Sequence, residues 1–69
     1  MNFITLQLIE PVQDSEQFIT KTVYVNPTAI ESVVEIDDEK TLICTMTRQM
    51  LVSSSYLEVT GQVAGAIND

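Results

Sequence analysis

Between residues 3 and 9 apolar and polar positions alternate, with Ile4, Leu6 and Leu8 on one side and Phe3, Thr5, Gln7 and Ile9 on the other. A period of two is that of a β-strand, whose successive side chains point to opposite faces. Glu10-Pro11 marks its end, and the polar run 11–16 predicts a loop. Alternation resumes over 17–25, setting Ile19, Val23 and Val25 against Phe18, Thr20, Thr22 and Tyr24, and neither side is cleanly polar. Consecutive strands usually pair, so the two runs predict an antiparallel hairpin. Asn26-Pro27 then stops the ladder, because proline has no amide donor and keeps its predecessor out of the helical region. Asn26 has a capping side chain and Pro27 suits a first helical position, which predicts one helical turn leading through Ile30 and Glu31. Ile30 and Val33 are expected to return to the core, with a third strand at 32–36.

The acidic run Asp37-Asp38-Glu39-Lys40 reads as a hairpin turn into a fourth strand at 41–47. There Leu42, Cys44 and Met46 are expected to face the core, with Thr41, Ile43, Thr45 and Thr47 opposite. Arg48-Gln49 predicts a tight turn and 50–52 a short fifth strand. Ser55 and Glu58 have the spacing of a capping box, in which each side chain serves the other residue's amide. Tyr56, Val59, Val63 and Ile67 then recur at helical spacing, predicting a helix over 56–67 that lies across the sheet. Gly61 and Gly65 each weaken it by about 1 kcal/mol relative to alanine. The fold class expected is α+β: a small antiparallel β-meander of four to five strands with one C-terminal helix, as a single domain over residues 1–69.

Length and composition narrow what such a domain does. At 69 residues the chain builds one small core and is marginal alone. Domains of this size usually gain stability from disulfides, a metal or a partner subunit. One cysteine and no histidine remove the first two, so no metal and no cofactor is expected, and self-association remains. Ten acidic residues against three basic ones give a net charge of −7. That balance argues against direct binding of nucleic acid, whose phosphates require clustered cations, and against anionic membrane surfaces. No basic leader with an apolar run and no spanning segment is visible. A lone cysteine fits a reducing interior, so a cytoplasmic protein is expected.

Candidate chemistry adds little. Cys44 has no histidine to activate it, and a buried thiol between Leu42 and Met46 is the plainer reading. The carboxylates from Glu35 to Glu39 lack the alternating ligands and central glycine of a calcium loop. Gly61 and Gly65 have the spacing that lets helices approach closely, a signal that belongs to membranes. Lys21, Asn26, Arg48, Ser53 and Ser54 are the set from which a small anion would draw its contacts.

The order VYVNPTAIESVVEI, TLICTMT and VSSSYLEVTGQVAGAI resembles the small flagellar-operon FlbD-like proteins. The matching positions are Asn26, Pro27, Ile30, Glu31, Val52, Ser55, Glu58, Val59 and Ile67. The early Leu-Asn-Gly turn of that family is PVQDSEQ here, and the Asn-Gly of its second hairpin is Arg48-Gln49. The resemblance implies the same order of elements and carries over no catalytic residue. A small viral accessory protein of this element order is equally similar.

These observations lead us to expect a non-enzymatic, acidic interaction module that works as a homo-oligomer, a dimer or a tetramer, and regulates or scaffolds a protein partner. The expected interface is the sheet face that one helix leaves uncovered, with Phe18, Tyr24, Ile43 and Leu51 interleaved with threonines. The alternatives are an oligomer that sequesters an anionic nucleotide signal and an acidic mimic of nucleic acid.

Overall fold

The computed structural model describes residues 2–67. Five strands, β1 (Ile4–Pro11), β2 (Phe18–Val25), β3 (Ile30–Glu35), β4 (Thr41–Thr45) and β5 (Gln49–Val52), precede one helix, α1 (Tyr56–Ile67). A 3₁₀ turn, Pro27–Ala29, separates β2 from β3. All pairings are antiparallel, in the order β2-β1-β5-β4-β3. The meander holds within two units, the β1–β2 hairpin and the β3–β4–β5 run, which β1 and β5 join. The α+β class is as the pattern predicts.

Local chemistry explains the boundaries. β1 runs on through Glu10-Pro11 because Pro11 sits opposite Phe18, where no ladder bond is made. The next pair carries the bond, Val12 N–H donating to the Gln17 carbonyl at 3.0 Å, and bonded pairs alternate along an antiparallel ladder. Asn26 caps the 3₁₀ turn, its Oδ1 accepting from the Thr28 amide at 3.1 Å and the Thr28 hydroxyl at 2.8 Å. Asp37 Oδ1 accepts from the amides of Glu39 and Lys40, both at 2.8 Å, so this acidic run is a turn closed by its own side chain. The capping box is made as well: Glu58 N–H donates to Ser55 Oγ at 3.2 Å and Ser55 N–H to Glu58 Oε1 at 3.3 Å.

Ile4, Leu6, Leu8, Val25, Ile43, Met50, Val52, Val59 and Ala66 form the buried core. Ile30 and Val33 both pack on it, although three positions apart in a strand they belong on opposite faces. A register shift between Ile30 and Ser32 absorbs the extra residue and turns both inward.

β4 reverses the expectation. Ile43 and Thr41 are fully buried, Leu42 and Cys44 are half-buried on the other face, and Met46 is 86% exposed beyond the strand's end. Cross-strand partners share a face, and Thr41 pairs with Val52, which itself pairs with Leu8 of the core. The Thr41 hydroxyl donates to the Ser54 carbonyl at 2.7 Å, which lets a threonine occupy a buried site.

The connection from β2 to β3 shapes the sheet. Val25 and Ile30 belong to opposite edges, and a chain of five steps reaches at most about 18 Å. Four inter-strand gaps of about 4.8 Å already span about 19 Å in a flat sheet, before any offset along the strands. A 3₁₀ turn shortens the reach further, so the sheet coils. Helix α1 packs on β1, β3 and the 3₁₀ turn and covers one face of it.

Candidate interaction surface

The face away from α1 is reached by tracing the register from the core residues outward. Val34 of β3 pairs with Leu42 of β4, and Leu42 with Leu51 of β5, giving an apolar row across three strands. On the hairpin, Thr5 pairs with Tyr24, Gln7 with Thr22 and Ile9 with Thr20. Gln7 and Thr22 lock together, Gln7 Nε2 donating to Thr22 Oγ1 at 3.1 Å and that hydroxyl donating to Gln7 Oε1 at 3.3 Å. Tyr24 is 73% exposed, Phe18 65% and Val34 44%.

A shallow groove of about 250 Å³ indents this face between the two units, lined by Ile9, Phe18, Thr20, Lys40, Leu51 and Ser53. Its walls are apolar apart from the Lys40 ammonium and two hydroxyls. A second groove, about 290 Å³, lies between the 3₁₀ turn and the β4–β5 turn, lined by Thr28, Ala29, Glu31, Thr45, Met46 and Thr47. Its one charged group is a carboxylate, which repels anions.

Of the expected interface residues, Phe18 and Leu51 share the first groove, and Tyr24 stands on the same face at the far end of β2. Ile43 does not belong to it. It lies in the buried core, because β4 presents its other side, Leu42 and Cys44, to the open face. Cys44 is therefore half-buried on the uncovered face, opposite Gln49, and not in the core. The residues missed were Ile9, Val34, Leu42 and Lys40. The alternation of β1 already set Ile9 opposite the core stripe, and only the parity of β4 misdirected Leu42.

The anion set does not assemble within the chain. Lys21 faces the α1 side, opposite Leu8, and pairs with Glu10 at 3.4 Å. Arg48 lies in the β4–β5 turn, its carbonyl accepting from the Thr45 amide at 2.9 Å. Asn26 is spent on the 3₁₀ cap, the Ser53 amide donates to the Gln7 carbonyl at 2.9 Å, and the Ser54 carbonyl receives Thr41. The cation beside Ser53 is Lys40, which also reaches Asp37 at 3.9 Å.

Among the described residues no group of His, Cys, Asp and Glu is placed to hold a metal, and every buried side-chain polar atom has a hydrogen-bond partner. No described helix is long and apolar enough to cross a membrane. Comparison with known proteins finds no family model that matches the chain, no similar curated protein and no similar solved structure.

Proposed function

We propose that this chain is a non-enzymatic, acidic interaction module that acts as a homo-oligomer, meeting its own copies through the open face of the sheet. One observation carries the reading: a row from Val34 through Leu42 and Leu51 to Ile9 and Phe18 lies on the face that α1 does not cover. Contiguous apolar surface of this kind usually marks an interface. The small, β-branched threonines at its margin suit sheet-to-sheet packing. No cluster of cations converges there, which favours a protein surface over a phosphate ligand. Light scattering should give a multiple of the 7.7 kDa chain mass. Leu51→Glu, which places a charge in the middle of the row, should lower that mass with the circular dichroism spectrum unchanged. A wild-type monomer at high micromolar concentration defeats the reading.

A second reading rests on the groove itself, where Lys40 and Ser53 stand at the edge of an apolar pocket. In that reading the oligomer holds an anionic nucleotide there. Titration calorimetry against mono-, di- and cyclic nucleotides separates the two, since heat that is lost in Lys40→Ala belongs only to the second.

A further inference from the structure

The sheet ends in two edges that the sequence treats differently. β3 carries the register shift between Ile30 and Ser32 and two carboxylates, Glu31 and Glu35, with no base. Bulges and charges are the usual devices that keep an edge strand from pairing. β2 has almost none of them. It holds an unbroken register with β1 from Phe18 to Val25, contains no proline, and is β-branched or aromatic at every position but Lys21. None of the ten acidic residues lies on it. In a chain of net charge −7, this edge is where a second copy approaches without meeting its own charge.

The ladder shows which backbone groups this edge offers. Val12 and Gln17 form a bonded pair, so the bonded pairs that follow are Glu10–Ile19, Leu8–Lys21, Leu6–Val23 and Ile4–Val25. The amides and carbonyls of Phe18, Thr20, Thr22 and Tyr24 therefore point away from β1, outward from the sheet. The bond from Ser53 N–H to the Gln7 carbonyl agrees, since Gln7 turns its backbone from β2 towards β5.

We propose that a second copy of this chain pairs with that edge, β2 against β2, antiparallel about a twofold axis at Thr22. The two five-stranded sheets then form one continuous sheet. A twofold axis normal to the sheet pairs residues of like parity, and two registers bring the outward groups together along most of the strand. The register centred on Lys21 sets that ammonium against Lys21 of the partner subunit, in a close pair of Cα atoms about 4.5 Å apart. The register centred on Thr22 avoids this. It bonds Thr22 to Thr22 of the partner subunit and Thr20 to Tyr24 of the partner subunit. It also sets Ile19 against Val25 of the partner subunit, extending the apolar stripe on the α1 side. Lys21 then faces Val23 of the partner subunit and keeps its bond to Glu10. The edge contact is separate from the face contact proposed above, and where their twofold axes cross at right angles the two together close a tetramer.

The test uses Thr22→Pro. Proline there removes an outward amide and no bond to β1, a position where edge strands tolerate it. Its light-scattering mass should fall to half that of the wild type while the circular dichroism spectrum stays folded. Hydrogen exchange on the unaltered protein gives a second measurement that needs no variant to fold. The amides of Thr20, Thr22 and Tyr24 should slow as concentration rises, approaching those of Ile19, Lys21 and Val23. Free exchange of the three at high concentration, or a folded Thr22→Pro protein at wild-type mass, overturns the edge contact. The face reading fails separately, if Leu51→Glu leaves the mass unchanged while Thr22→Pro halves it.

Discussion

The two faces of β4 carry nearly the same hydrophobic content and have opposite fates. Thr41 and Ile43 are fully buried on the core side, while Leu42 and Cys44 stay half-exposed on the other. By side chain alone the second pair is as good a core as the first. The choice is made by the neighbours: β4 takes its register from β5, β5 meets β1 at Leu8, and Leu8 already faces the helix. Which face is core is therefore a property of the sheet and not of the strand. A strand apolar on both faces, lying in a sheet covered on one, leaves an apolar surface open, and that surface is the basis of the proposed self-association.

Shortening one side chain on each face should have the largest and most unequal effect. Ile43→Ala removes fully buried methyl groups and leaves a cavity in the core, at a cost of about 2–5 kcal/mol. For a domain this small that is a large fraction of its stability, so the melting transition should fall steeply. Leu42→Ala, one residue away, should change the stability of the monomer far less and act mainly on association. Urea denaturation of both variants, at low and high protein concentration, checks the pair. Equal losses at low concentration would mean that the open face is as much a part of the monomer's core as the covered one.

The same contrast shows what was legible in the chain. Strands β1 and β2, the Asn26 cap, the Ser55–Glu58 box and the span of α1 were readable because each depends on residues close in sequence. β1 alternates cleanly, so its core stripe of Ile4, Leu6 and Leu8 was fixed by period alone. β4 does not alternate in hydrophobicity, and its threonines look polar until the Ser54 carbonyl is placed beside Thr41. The pairing of β5 with β1 joins residues 44 positions apart (Leu8 and Val52), and no local pattern announces it. The open face followed the same limit. Local alternation reaches Phe18, Tyr24 and Leu51, whereas the burial of Ile43 and the open-face positions of Val34, Leu42 and Lys40 depend on register.

A smaller effect is expected at the start of α1, the element that makes one face covered. Ser55→Ala removes the acceptor for the Glu58 amide and should cost about 0.5–2 kcal/mol. Glu58→Gln keeps an acceptor for the Ser55 amide but gives up the negative charge near the helix N-terminus, for a few tenths of a kcal/mol up to about 1. Thermal melts of both should preserve that order. Loss at Glu58 exceeding loss at Ser55 would assign the stabilisation to charge and not to the cap.

The smallest effect concerns the outer side of the helix, which belongs to neither face of the sheet. Gly61 is exposed, and a Cβ built there meets nothing within 4 Å. Close packing of α1 on the sheet therefore does not explain the glycine. Nor does backbone geometry, since none of the described glycines has a positive φ. With no contact to disturb, Gly61→Ala should raise stability by up to about 1 kcal/mol through helix propensity alone. The gain should be independent of protein concentration, because both proposed contacts, the open face and the β2 edge, lie elsewhere. A melt of the variant at two concentrations measures this. Stabilisation at low concentration that disappears at high concentration would show that copies of the chain also meet across the helix, at the spot where glycine leaves room.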